Sequence, residues 1–262
     1  MALQPMYMIF GIPVSNLSLS EAAQKVVALC NIGGKHMVVT LNPEMAVEAY
    51  KRPKYQQVLA HASLIVPDGI GIVFASLLSR EPLLKGVVRG RELAFELFKI
   101  CEERGLTLVL LGADIDVLHK TTLKITSTYH NIRILNEIVG PQINAESGKA
   151  ANVEDDLRLV SQINEIRPDI LLVGFGHPKQ ELWLGNYMES LDIKVGIGVG
   201  GTFDYISGEV PVPPSFIKKM GVEWVWRLCN QPNRIFRIVK AVIVFPILYI
   251  FSLFKLMFHV EH

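Results

Sequence analysis

Four short stretches carry side chains that could do chemistry, and each follows an apolar run. In "IVPDGIG", Asp68 directly follows Ile65, Val66 and Pro67 and precedes Gly69 and Gly71. A carboxylate at the base of a cleft can take a proton from an attacking hydroxyl, and flanking glycines let a ligand approach the backbone. In "TLNPEM", Thr40 and Asn42 follow an apolar run, and Pro43 suits the first position of a helix. In "LLVGFGHPKQELW", Gly174 and Gly176 make room before His177, Lys179 and Gln180. The Gln180 amide can donate to and accept from a sugar or a base edge, and Lys179 offers a point charge to a phosphate. In "GVGGTFDYISG", Gly198, Gly200 and Gly201 make a loop whose amides could cradle phosphates, and Thr202 and Asp204 follow. Each stretch also has a plainer use: Asn42, Asp68, Thr202 or Asp204 can simply cap a helix, and a turn histidine such as His177 is more often structural. The four together carry weight because all are polar ends of apolar, strand-like runs.

Those runs are residues 36–41, 63–67, 107–112, 132–140, 169–176 and 194–201. Between them lie "SLSEAAQKVVALC", "GRELAFELFKICEERG", "DVLHKTTLKITSTY", "VEDDLRLVSQINEI" and "QELWLGNYMESL", with apolar residues at helical spacing. Ser18 or Ser20 can cap the first of these, with Glu21 in its first turn, and Gly105 suits a helix end. Strands rich in Val, Ile and Leu with little alternation imply burial on both faces. The expected fold class is therefore α/β: a Rossmann-like open parallel sheet with helices on both faces and ligands at the carboxyl ends of the strands. The polar loop 141–155 is expected to be mobile. "SGEVPVPPS" holds three prolines, which suggests a catalytic domain over 1–208 and an appendage over 209–262.

The appendage has its own chemistry. Lys218, Lys219, Arg227, Arg234 and Arg237 face only Glu223 over its first part, and fourteen uncharged, mostly apolar residues separate Lys240 from Lys255. A spanning helix needs ~20 apolar residues. A basic stretch beside a shorter apolar helix, kinked at Pro246 and flanked by Trp224 and Trp226, fits an element lying in the membrane surface.

Composition narrows the remaining classes. The chain has 262 residues, 50% hydrophobic and 19% charged, with a net charge of +1, so no bulk field favours nucleic acid. Cys30, Cys101 and Cys229 lack CxxC spacing and read as reduced thiols, not a disulfide framework or a zinc site. The seven histidines never fall in metal-ligand spacing, so no metal is expected. The N-terminus lacks the basic region and long apolar core of a secretory signal. GxSxG, HExxH and Walker sequences do not occur, and no GxGxxG followed by an acidic residue supports a nicotinamide oxidoreductase. "DID" at 114–116 matches a metal-holding DxD in letters, but it begins a helix, where Asp114 should act as a cap.

In order and spacing, "TLNPEM", "ASLIVPDGIGIVFA", "RGRELAFEL", "LLGA", "PDILLVGFGHPKQELW", "GVGGTFDYISGEV" and "GVEWVWRLCNQPNRIFR" resemble the WecG/TagA/CpsF family of bacterial glycosyltransferases, from about residue 7 to 237. The resemblance implies transfer of a hexosyl group, N-acetylmannosaminyl or related, from a UDP-sugar to a polyprenyl-diphosphate-linked sugar acceptor at the cytoplasmic membrane face. The products feed teichoic acid or other cell-surface polysaccharide. It implies inversion at the anomeric carbon, no required metal, no cofactor, self-association, and a C-terminal appendage that helps membrane docking. Position by position, Asp68 resembles the general base, and Thr40, Asn42 and Gly69 line the sugar pocket. Gly176, Lys179, Gln180, Gly200, Gly201, Thr202 and Asp204 resemble nucleotide-sugar contacts. Arg227, Arg234 and Arg237 resemble the arginines that neutralise the diphosphate. Two positions depart from the family pattern: Val87 and Val212 stand where a basic residue is often found, and Arg89 and Arg91 are the candidates to substitute. A non-catalytic sugar-nucleotide-binding subunit of a polysaccharide assembly is the alternative.

Overall fold

The computed structural model describes residues 6–78, 83–214, 217, 225, 226, 228 and 235–258. The chain opens on a two-stranded antiparallel hairpin, β1 (Met6–Ile9) and β2 (Ile12–Ser15), which the run-by-run reading above does not anticipate. Phe10 and Gly11 both take positive φ at its two-residue turn, the backbone that suits strand twist. Next come α1 (Leu19–Ile32), β3 (His36–Leu41), α2 (Pro43–Lys51), α3 (Pro53–Ala60), β4 (Leu64–Pro67), α4 (Ile70–Leu77) and α5 (Gly90–Arg104). Ser18, rather than Ser20, caps α1 through a capping box with Glu21, and Gly105 ends α5 in the left-handed conformation. The second half alternates β5 (Thr107–Leu111), α6 (Ile115–Thr128), β6 (Arg133–Ile138), α7 (Val153–Ile166), β7 (Ile170–Val173), α8 (Lys179–Tyr187), β8 (Val195–Gly198) and α9 (Thr202–Ser207).

Six strands form one parallel sheet in the order β4-β3-β8-β7-β5-β6. Alternate residues of the same strands feed two cores. Val39, Leu41, Leu111, Leu171 and Val173 pack with Met45, Tyr55 and Trp183 on one face; Val38, Val66, Leu108, Leu110 and Leu172 pack with Val26, Leu97 and Leu118 on the other. Burial on both faces is what the unbroken apolar runs require. The carboxyl ends of β4, β3, β8 and β7 thus stand in one row about 14 Å long, at the usual strand spacing.

Two local expectations are corrected. Loop 141–155 is fastened, not loose: Ile143 and Ala150 are buried and bridge each other, Asn144 accepts from the amides of Glu146 and Ser147, and Arg52 donates to the carbonyls of Ala145 and Glu146 at 3.0 Å. Its polar letters hide two apolar anchors. Asp114 stands at the N-cap position of α6, but its side chain makes no capping bond. Around Pro246 the tail changes its helix type. Helix α10 (Ile235–Val239) leads through a π-helical turn, Lys240–Val244, into α11 (Phe245–Phe258). The widened turn just before the proline relieves the crowding its ring would cause in a regular helix.

The tail is also less separable than its composition suggests. Phe245 and Tyr249 are almost wholly buried against the body. The Tyr249 hydroxyl meets that of Tyr7, which donates to the Ala75 carbonyl at 2.8 Å. Phe10 packs edge-on against both tail rings at 6.0 Å.

Candidate active site

Asp68 follows the last residue of β4, and its amide donates to the Leu41 carbonyl at 2.7 Å, continuing the β3–β4 pairing past the strand. Its Oδ2 accepts weakly, at 3.5 Å, from the amide of Gly90, the first residue of α5. The carboxylate therefore lies at a helix N-terminus, the end that attracts negative charge. Thr40 is buried beneath it: a Cβ placed on Gly90 would lie 3.2 Å from Thr40 Oγ1 and 3.9 Å from Asp68 Oδ2. A side chain at 90 would press on Thr40, so glycine suits this close approach of α5. Gly69, at φ +104°, makes the corresponding close passage over Pro43.

Asn42 has its plainer use. Its side-chain oxygen caps α2 by accepting from the Met45 amide at 2.9 Å. The first turn of α2 carries Glu44 across the mouth of the row. Glu44 Oε2 lies 3.1 Å from His177 Nε2, beyond the end of β7, and Oε1 lies 2.6 Å from Arg237 Nε of α10. Arg237 also meets His177. Burial works to raise the Glu44 carboxyl, but hydrogen bonds and charge from His177 and Arg237 overcome it and hold it at about 2. Of the three arginines expected near a diphosphate, Arg237 is thus placed at the row of strand ends, while Arg227 and Arg234 lie outside the described residues.

The glycine loops differ in detail from expectation. Gln180 is buried, and its Oε1 accepts from the amides of Gly176 at 3.1 Å and Gly200 at 3.0 Å. The Gly200 amide, a candidate to cradle a phosphate, and the Gly176 amide thus brace the β7 and β8 loops against one another. Gln180 Nε2 donates to Glu181 Oε1 at 2.6 Å, and Tyr55 donates its hydroxyl to Glu181 Oε2 at 3.1 Å. In this arrangement Gln180 therefore positions the two loops. Burial pushes the Glu181 carboxyl above its ordinary value, which suits an acid wholly enclosed among neutral donors. Gly176 and Gly200 have positive φ, and a Cβ on either would meet nothing within 4 Å, so both backbones border open space that a ligand can enter.

Lys179 opens α8 with its side chain partly exposed. Thr202 is buried and donates to the Val199 carbonyl at 2.6 Å; Asp204 follows it on α9. The two arginines offered as substitutes diverge. Arg89 lies 3.3 Å from Glu92. Arg91 is buried, its guanidinium stacked 4.9 Å over the Tyr205 ring, and its Nη2 has no hydrogen-bond partner. Val87 is half-buried and Val212 is exposed. Among the described residues, no three His, Cys, Asp or Glu side chains converge as metal ligands.

Sequence reasoning missed the Glu44 and Glu181 clusters. Both residues stand inside quoted blocks, "NPEM" and "KQELW", but their partners, Arg237 and Tyr55, are 193 and 126 positions away. No local pattern announces such pairs.

A parallel α/β sheet with a carboxylate, a helix N-terminus and two braced glycine loops at its strand ends defines an enzyme of the nucleotide-binding open-sheet class. Comparison with known proteins narrows that class. The profile of the glycosyl transferase WecG/TagA/CpsF family matches residues 7–258. A protein of Bacillus subtilis (strain 168) named N-acetylglucosaminyldiphosphoundecaprenol N-acetyl-beta-D-mannosaminyltransferase is 34% identical over 198 residues, covering 76% of this chain and 73% of its own length. Proteins of the same name from Bacillus spizizenii and Staphylococcus aureus (strain MRSA252) are 32% and 31% identical, over 75% and 79% of this chain and 72% and 77% of theirs. The chain belongs to the WecG/TagA/CpsF family and is a glycosyltransferase.

Proposed function

We propose that the protein transfers an N-acetylmannosaminyl or related hexosyl group from a UDP-sugar to a polyprenyl-diphosphate-linked N-acetylglucosamine, at the cytoplasmic membrane face, in teichoic acid or related polysaccharide synthesis. The observation that carries this reading is Asp68 at the carboxyl end of β4 and the N-terminus of α5, in a chain whose relatives are named for that transfer. Asp68 takes the proton of the acceptor hydroxyl as its oxygen attacks the anomeric carbon. The bond from that carbon to the diphosphate oxygen breaks, UDP departs with the electron pair, and the configuration inverts. Inversion of an α-linked donor gives the beta linkage in the relatives' names. The leaving diphosphate gathers charge that cationic side chains such as Arg91 and Lys179 would neutralise. No metal is required in this scheme.

The two-part organisation, 1–208 catalytic and 209–262 appendage, belongs to the same proposal. Helices α10 and α11 make one apolar segment, Ile235–Lys255, of 21 residues with mean hydropathy 2.1, long enough by composition to cross a membrane. The burial of Phe245 and Tyr249 against the body supports a helix lying along the membrane surface rather than across it. Incubating the protein with a panel of UDP-sugars and a polyprenyl-diphosphate-N-acetylglucosamine acceptor tests the reading: lipid-linked disaccharide from UDP-N-acetylmannosamine supports it. Sugar-nucleotide binding with no product from any donor would favour a non-catalytic subunit.

A further inference from the structure

We propose that α4, the helix that begins two residues after Asp68, is a second membrane-contacting element. It would share one continuous apolar face with α11 and rest at the boundary of headgroups and acyl chains. This inference rests on the membrane reading above and adds to it a surface outside the appendage.

Helix α4, with the residue that follows it, reads "IGIVFASLL" and contains no charge. Ile72 and Ala75 turn inward. Ile70, Phe74, Leu77 and Leu78, spaced i, i+4, i+7 and i+8, turn outward and are 39%, 57%, 54% and 55% exposed. The tail repeats that spacing: Ile243, Ile247, Ile250, Phe251 and Phe254 are all exposed. The two stripes belong to neighbouring helices. Phe245 Cδ1 lies 3.8 Å from where a Cβ on Gly71 would stand, and Tyr249 meets Tyr7, whose hydroxyl is bonded to the Ala75 carbonyl. Residues 71 to 75 of α4 thus run beside 245 to 249 of α11 in the same direction. With the shared seam buried, each of the two neighbouring helices keeps an exposed apolar stripe.

A soluble surface rarely carries so many large apolar side chains in one area. The occupant we assign is a lipid bilayer. The α4 stripe continues onto the segment whose length and hydropathy match lipid. Neither α4 nor the stretch from Lys240 to Lys255 contains an acidic residue that an anionic surface would repel. The geometry has a functional consequence: seating α4 in the interface holds Asp68 at membrane level, where a sugar joined to a lipid by a diphosphate must be met.

The test uses the full chain. Phe74→Glu with Leu77→Glu on α4, and Ile247→Glu with Phe251→Glu on α11, are each sedimented with vesicles of phosphatidylglycerol and phosphatidylcholine. The α4 pair is expected to lower the partition coefficient about tenfold or more, with thermal midpoint and lipid-free sedimentation coefficient unchanged. Should the glutamates lower the thermal midpoint, Phe74→Ser with Leu78→Ser replaces them, with a loss of about threefold expected. Partitioning equal to wild type overturns the inference. So does a variant that shifts a lipid-free dimer to monomer while vesicle binding is unchanged, which would assign the face to a second copy. If the α11 pair releases the protein and the α4 pair does not, only this inference falls; if the wild-type chain ignores vesicles, the membrane reading falls with it.

Discussion

Arg237 and Glu44 are 193 residues apart in sequence, yet Nε of one lies 2.6 Å from Oε1 of the other. The pair fixes the start of the C-terminal helix to the first turn of α2, the helix that follows β3. His177 completes the cluster, so the tail, the β3 end and the β7 end are joined at one point.

That junction predicts a pH dependence. The Glu44 carboxyl is held at about 2 in the folded chain against an ordinary 4.5. A depressed carboxyl contributes stability that is full above about 4.5 and is lost as pH falls through about 2. Glu44→Gln should therefore be less stable than wild type by about 1–3 kcal/mol at about pH 5, the upper part of that range being reduced by solvent screening at the partly exposed Arg237. The gap should close between about pH 4.5 and 2. Urea unfolding of both proteins across this range measures it; a gap that persists unchanged to pH 2 would show that the ion cluster is not its source.

Gln180 should act through the loops it braces. Gln180→Ala leaves the Gly176 and Gly200 amides without their partner, and an unsatisfied buried donor costs about 1–3 kcal/mol. The expected outcome is a fall in kcat/KM of roughly tenfold or more, and Gln180→Glu should not restore it, because a second carboxylate would meet Glu181 Oε1 where Nε2 now donates. Equal activity of Gln180→Ala and wild type would mean that the loops hold their shape without the amide.

The two arginines near Val87 should separate. Arg91 is buried with a free Nη2 and a stacking partner, whereas Arg89 lies beside Glu92. Arg91→Lys keeps the charge but loses the planar stack over Tyr205 and should raise the donor KM about tenfold. Arg89→Lys should change it by less than about threefold, as suits a partly exposed ion pair. Steady-state kinetics with varied donor decides between them, and the reverse ranking would transfer the role to Arg89.

Chelation gives a further check. Among the described residues no three His, Cys, Asp or Glu side chains converge as metal ligands, and cationic side chains are assigned to the leaving group. Turnover in excess EDTA should therefore match turnover without it. An activity that disappears in EDTA and returns with one divalent ion would replace that assignment.

Much of this was legible in the sequence. All six sheet strands could be located because both-face burial writes itself as uninterrupted runs such as "HMVVTL", and the polar residue after each run marks a carboxyl end. Strand order was not legible, since β8 inserts between β3 and β7 through contacts far apart in the chain. Local pattern misled where one residue type serves two purposes. Gln180 is equally able to bind a sugar or to brace two glycines, and only the bonds from the Gly176 and Gly200 amides show that it braces them. The stripe on α4 was hidden for a related reason: "IGIVFASLL" reads as core, and only the exposure of Phe74 and Leu77 distinguishes an outer face from an inner one.

The central claim is that Asp68 is the general base of a glycosyl transfer. The most direct measurement is single-turnover transfer by wild type and Asp68→Asn, with UDP-N-acetylmannosamine and a polyprenyl-diphosphate-N-acetylglucosamine acceptor, both proteins first matched in thermal midpoint. The account predicts lipid-linked disaccharide from wild type and a rate lower by ~10²–10⁴ in Asp68→Asn, with donor binding retained. A folded Asp68→Asn protein that transfers sugar at a near-normal rate would contradict it.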